Sequence, residues 1–148
     1  MITIERLEES HVALVQAIQL ADEQVKFAGT AAEFLLDGSQ TTHLHVIKSN
    51  KEVVGFFKLD IAYADSYEFC PEGSIGLRAF GLGTGTVKAL FPYLKANYLA
   101  YESIYLTVNC KNPAAFNCYK KGGFEDTNEQ YLGGAAGPQF IMRGQIAS

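Results

Sequence analysis

Apolar and polar positions alternate at the start of the chain, Ile2 and Ile4 against Thr3 and Glu5, which predicts a strand over Met1 to Leu7. Ser10 then reads as the N-cap of a helix whose mostly apolar stripe is Val12, Val15, Ile18 and Gln19. The loop at Phe27-Ala28-Gly29 ends it. Thr30 and Glu33 have the spacing of a capping box, so a short second helix carries Phe34, Leu35 and Leu36 to Gly38. His43 to Lys48 and Val53 to Tyr63 are strand-like and enclose Ser49-Asn50-Lys51-Glu52, an antiparallel hairpin. In the second arm Phe57, Leu59, Ile61 and Tyr63 share one face, while Phe56, Lys58 and Asp60 share the other. Asp65 to Gly73 is turn-rich.

A short apolar run, Ile75 to Phe80, passes straight into Gly81-Leu82-Gly83-Thr84-Gly85 and then into helical spacing at Val87, Leu90, Phe91, Leu94 and Tyr98. Pro92 lies well inside that helix, where it removes a backbone bond at a cost of about 3 kcal/mol and predicts a kink between Lys88 and Pro92. Ile104 to Val108 is a clear strand. After it Asn112 is a natural N-cap, Pro113 suits the first helical position, Lys120 and Lys121 complement the negative end, and Gly122 closes the helix. Asn128 to Leu132 and Gln139 to Ile146 flank Gly133 to Pro138 as a terminal hairpin. The order β, α, α, β, β, β, α, β, α, β, β predicts an α/β (α+β) protein with a mixed sheet and helices on it.

Composition narrows what such a fold could do. With 148 residues, 48% of them hydrophobic, the chain has material for one well-buried core, and one domain over 1–148 is expected. The net charge is −4 and no basic cluster exceeds Lys120-Lys121, so nucleic acid and membrane surfaces are poor partners and a cationic one is not repelled. Cys70, Cys110 and Cys118 have no metal-ligand spacing, and an odd count without a signal peptide points to a reducing cytoplasm. His43 and His45 share a strand face but have no Cys or carboxylate partner nearby in sequence, so no metal is expected.

Three alternate glycines between a strand and a helix leave no Cβ between the backbone amides and a ligand, and the helix aims unpaired N–H groups at the same point. That arrangement suits a phosphate or pyrophosphate. A Walker loop would need Lys and then Ser or Thr after the last glycine, whereas Thr86 and Val87 follow Gly85; a dinucleotide fingerprint would need a third glycine at Thr86 or Lys88. A glycine-rich connection without a ligand is the plain alternative.

Taken together, Gly81 to Gly85 and the run Asn112, Ala115, Tyr119, Gly123-Phe124 resemble the pyrophosphate loop and the following strand-helix motif of the GCN5-related N-acetyltransferase (GNAT) family. The resemblance implies a mostly antiparallel sheet in which two central parallel strands, ending near Phe80 and Asn109, splay to admit acetyl-CoA. It assigns Leu77, Arg78, Ala79 and Phe80 to the pantetheine and Gly81, Leu82, Gly83, Thr84, Gly85 and Thr86 to the pyrophosphate. It counts Asn109 among the cofactor-binding residues and sets Asn112, Phe116 and Tyr119 along the thioester end, with Tyr119 as general acid and a small-molecule or peptide amine as acceptor; a homodimer stays open.

Two departures accompany it. Counting along the central strand places the family's glutamate base at Gly76, which has no side chain, so Asp60, Glu68 or a water has to serve. Relatives also carry several residues between the phenylalanine and the first glycine, whereas Phe80 joins Gly81 directly. An extended residue spans at most about 3.6 Å, so either the loop is truly short and grips pyrophosphate weakly, or a mobile segment is missing from the chain as numbered; the habit of phosphate loops to order only when the ligand arrives favours the latter. The competing functions are a non-catalytic coenzyme A or partner-binding module and a Cys118 thiol enzyme with its nucleophile activated at a helix start.

Overall fold

A computed structural model of the chain describes residues 2–16, 35, 38–50, 52–78, 87–134 and 137–146. Its strands are β1 (Ile2–Arg6), β2 (Thr42–Ser49), β3 (Glu52–Asp60), β4 (Ser74–Arg78), β5 (Ser103–Asn109), β6 (Glu125–Tyr131) and β7 (Gln139–Gln145). Its helices are α1 (Val12–Gln16), α2 (Tyr63–Ser66), α3 (Val87–Asn97) and α4 (Pro113–Gly122). The strands form one sheet in the order β1-β2-β3-β4-β5-β7-β6. Every pairing is antiparallel except β4 with β5.

That exception opens the sheet. Among the described residues the parallel ladder has three rungs, Ser74 to Ser103, Ile75 to Ile104 and Gly76 to Tyr105. Beyond them β4 stays with β3 through Leu77 and Arg78, while β5 stays with β7 as far as Asn109. The central pair thus diverges, as the resemblance implied.

The period-2 alternation divides the two faces. One carries Ile47, Phe57, Leu59, Ile75, Leu77, Ile104, Leu106 and Met142, closed over by Val87, Leu90 and Leu94 of α3. The other carries a smaller group, Val15 of α1 on Val46 and Phe56. Two histidines anchor the first face. The His43 Nε2–H donates to the Gln40 carbonyl at 3.1 Å, leaving Nδ1 to accept from the Tyr98 hydroxyl at 2.7 Å. The His45 Nδ1–H donates to the His43 carbonyl at 3.0 Å, and Nε2 accepts from the Tyr93 hydroxyl at 2.7 Å. The second strand is thereby tied to α3 through Tyr93 and to Tyr98, the residue just past its end, inside an apolar layer.

Several boundaries differ from the sequence reading. Ser10 is not a cap: a single 3-10 turn, Glu9–His11, precedes α1, and the His11 Nδ1 accepts from the Glu8 backbone N–H at 3.0 Å. The third strand stops at Asp60 rather than running to Tyr63, because the Asp60 Oδ1 accepts from the Ala62 N–H at 2.9 Å and turns the chain into α2. Gly122 is the last residue of α4, and Gly123, with φ of 121°, takes the positive-φ position beyond it. The β6 strand begins at Glu125, before any apolar alternation. Asn112 and Pro113 act as read: the Asn112 Oδ1 accepts from the Ala115 N–H at 3.3 Å and Pro113 opens the helix. Helix α3 continues through Pro92. Ile18, Gln19, the Phe27 loop, the Thr30–Glu33 box, Phe34 and Leu36 lie outside the described residues.

Candidate functional site

Of the residues singled out from sequence, those described stand on β4 (Leu77, Arg78), at the end of β5 (Asn109), at the cap of α4 (Asn112) and on α4 (Phe116, Tyr119). Leu77 is buried in the core at the open end of β4. Arg78 follows, its side chain 44% exposed, with Nη1 donating to the Asp60 Oδ2 at 3.4 Å. Ala79, Phe80, Gly81, Leu82, Gly83, Thr84, Gly85 and Thr86, together with the Phe80 to Gly81 junction, lie outside the described residues.

Across the opening Asn109 ends β5, buried, its Oδ1 accepting from the Lys111 N–H at 2.8 Å. Its carbonyl accepts from the Asn112 N–H at 2.9 Å, so the chain turns at once from strand into α4. Asn112, Phe116 and Tyr119 recur at helical spacing. The Phe116 ring lies 4.7 Å from that of Phe140 on β7, and the Tyr119 ring meets Phe124 edge-on at 5.6 Å. Burial, with Cys118 beside it, holds the Tyr119 phenol above its ordinary range. A tyrosine in that condition keeps its proton at neutral pH and is a weaker acid than an ordinary phenol.

The position without a side chain has a structural cause. A Cβ on Gly76 would stand 2.1 Å from Cδ1 and 2.2 Å from Cγ of Tyr63. The Tyr63 ring therefore occupies the place of a side chain at 76, and its hydroxyl hydrogen-bonds Thr107 on β5, spanning the two strands just past their last rung. Burial raises this phenol strongly as well. Directly opposite Gly76 on β3 stands Asp60, so a carboxylate is present beside the vacant position, held by Arg78 and the Ala62 N–H. Glu68, the other candidate base, is exposed in the turn after Tyr67. Sequence reading took Tyr63 for a strand residue. The nearest signal of its role was its spacing from Asp60, a residue type that ends strands by bonding the backbone two residues on.

The thiol alternative loses its physical basis. Cys118 is the sixth residue of α4, beyond the first turn where the helix N-terminus lowers a pKa. The three histidines are engaged with Glu8, Gln40, Tyr98, the His43 carbonyl and Tyr93. Burial, with Asp60 nearby, pushes Cys70 up to about 11, away from nucleophilic use. Among the described residues no three His, Cys, Asp or Glu stand together to hold a metal, and no helix is long and apolar enough to cross a membrane.

No family sequence model and no curated protein sequence matches the chain. Solved structures do. The aminoglycoside acetyltransferase AAC(6')-Ib in complex with coenzyme A superposes with a TM-score of 0.77 at 19% identity, over 98% of this chain and 95% of that one. The aminoglycoside N(6')acetyltransferase of Legionella pneumophila gives 0.73 at 18% identity, over 98% and 92%. Spermidine N-acetyltransferase from Vibrio cholerae, in complex with CoA and spermine, gives 0.66 at 17%, over 98% and 95%. The fold is the one these acetyltransferases share, and the expected architecture, a mixed and mostly antiparallel sheet with a diverging parallel pair, is present.

Proposed function

We propose that this chain is an acetyl-CoA-dependent N-acetyltransferase that moves an acetyl group to a primary amine by direct attack in a ternary complex. The observation that carries the reading is the three-rung parallel ladder, which opens between a strand leading into Gly81 to Gly85 and a strand leading into the Asn112-capped helix. Acetyl-CoA supplies an activated thioester whose acyl group forms the amide as the C–S bond breaks and a thiolate leaves. The backbone of Leu77 to Phe80 offers amides to the pantetheine and the acyl carbonyl, and the Gly81 to Thr86 amides take the pyrophosphate.

Tyr119, at the motif position of the family's tyrosine, supplies the thiolate's proton; its phenol is protonated at neutral pH, and the proton moves as the C–S bond breaks rather than to a free thiolate. Asn112, whose Oδ1 serves the helix cap, has its amide group left to offer beside Asn109 and Phe116. Asp60, across from Gly76, orients the water that takes the ammonium proton. The fold family of acetyltransferases acting on aminoglycosides and spermine supports an amine acceptor, and the net charge of −4 suits a cationic one over nucleic acid. Three free cysteines suit a reducing cytoplasm.

Tyr63 filling the side-chain space of Gly76 favours one second reading, a coenzyme A-binding module without turnover. Both readings are tested together. Saturating acetyl-CoA raises the melting temperature by mass action, and Gly83→Asp, which sets a carboxylate against the pyrophosphate, abolishes the shift. An unchanged melting temperature with no calorimetric heat refutes both, whereas binding without thiol release toward any amine leaves only the second.

A further inference from the structure

The face of the sheet that carries α1 and α2 also carries five rings outside both core clusters. Tyr63 and Tyr67, 4.5 Å apart, come from α2 and its end, and Phe69 follows at 5.2 Å from Tyr67. Tyr131 of β6 closes on Tyr67 at 5.3 Å and on Phe69 at 6.0 Å, and Tyr105 of β5 lies 6.2 Å from Phe69. Only Tyr63 is buried; the other four are partly exposed. Four contiguous, partly exposed rings offer flat faces and edges on which a flat ligand can stack. The cluster stands on the reaction centre: Tyr63 lies against Gly76, and Tyr105 is the ladder partner of Gly76 on the last rung before the strands diverge.

On the strands beneath, the Asp60 carboxylate and the Arg78 guanidinium are paired and offset one another, with the Ala62 N–H also on Asp60, so the wall presents ring faces rather than a net charge. The exposed Asp65 and Glu68 of the same segment give the approach a negative sign. Ring faces attract an ammonium while it keeps its proton, and stack edge-on or offset against a flat body.

We infer that this aromatic cluster is the acceptor wall, and that the acceptor is a single primary amine carried on an aromatic body, an arylalkylamine rather than a polycation. The inference rests on the transferase reading above, and it departs from the aminoglycosides and spermine of the structural neighbours. Tyr67 and Phe69 from the segment after α2, Tyr105 of β5 and Tyr131 of β6 hold the body, and the amine reaches past the buried Tyr63 ring toward the opening between β4 and β5.

Phenethylamine is the probe, titrated calorimetrically into the full chain with and without coenzyme A and compared with n-butylamine, spermine and kanamycin. Saturable phenethylamine binding is expected, and Tyr67→Ala and Phe69→Ala should each weaken it roughly tenfold without moving the coenzyme A affinity. In acetyl transfer, kcat/KM for phenethylamine should exceed that for n-butylamine, and the ratio should fall in both variants. The inference is overturned by absent phenethylamine binding, by a preference for spermine or kanamycin, or by ring variants that melt earlier yet bind phenethylamine as tightly as the parent. Any of these with coenzyme A still bound leaves the cofactor reading intact, whereas loss of coenzyme A binding in the parent chain strikes that reading itself.

Discussion

Replacing Gly76 with alanine tests the arrangement at the centre of the opening. The added methyl would lie 2.1 Å from the Tyr63 Cδ1, well inside the ~3.5–4.0 Å of a carbon contact. Tyr63 is only 2% exposed and is hemmed in by Tyr67 and Phe69, so its ring cannot swing aside into solvent unopposed. Overpacking costs about 1–3 kcal/mol, and a displaced ring also surrenders the bond to Thr107, worth about 1 kcal/mol. Against this, alanine restricts the unfolded chain and returns about 0.4–1 kcal/mol. The net loss is about 2 kcal/mol, a drop in melting temperature of roughly 4–8 °C for a chain of this size. Differential scanning calorimetry of four proteins, parent, Gly76→Ala, Tyr63→Ala and the pair, isolates the contact: with the ring gone the methyl has room, so the two changes should couple by about 2 kcal/mol. Equal costs for Gly76→Ala with and without the Tyr63 ring would show that the ring does not occupy that space.

Two further outcomes follow from the site and its support. Tyr119→Phe keeps the ring and removes the proton donor, so turnover should fall by roughly 10- to 10⁴-fold with acetyl-CoA affinity unchanged; undiminished turnover removes Tyr119 from the mechanism. His45 is held down to about 3 by burial, so below about pH 6.5 the unfolded chain takes up a proton that the native state refuses, and stability present above 6.5 drains away toward pH 3, about 2 kcal/mol of it by pH 5. Urea midpoints at pH 8 and 5 should converge for His45→Gln relative to the parent, and an NMR titration placing His45 near 6.5 refutes the account.

Local chemistry made some parts of this molecule readable. Asn112, Pro113, Lys120 and Lys121 specify α4 through bonds and charges within one helix, and the apolar runs of β4 and β5 need no partner to be recognised as buried strands. Where tertiary contacts decide, the sequence misleads. Ile61 and Tyr63 continue the alternation of β3, yet a single carboxylate bond at Asp60 ends the strand and sends Tyr63 onto the backbone of Gly76. Glu125 to Tyr131 has too few apolar positions to read as a full strand; its register comes from β7, to which it pairs from Glu125 to Tyr131 across an irregularity near Asn128. The aromatic wall was invisible for a related reason: its rings come from segments up to 68 residues apart, from Tyr63 to Tyr131, and no spacing rule connects them.

The divergence of β4 and β5 also makes this sheet two leaves bound along a short spine. One leaf, β1 to β4, is contiguous in sequence from Ile2 to Arg78; the other, β5 to β7, is contiguous from Ser103 to Gln145. The chain passes from one leaf to the other only once, through α3 and the turn at Leu99, itself 63% exposed. Three ladder rungs and the bond from the Glu102 N–H to the Gly73 carbonyl at 2.8 Å hold the spine, beneath a core shared by both leaves. A cut at Leu99 therefore severs no strand pairing, and two fragments could rebuild the sheet by docking Ile75 against Ile104. A ligand seated in the opening would touch both leaves beyond their last rung and so add a further bridge to the shared core and to the Tyr63–Thr107 bond that already join them.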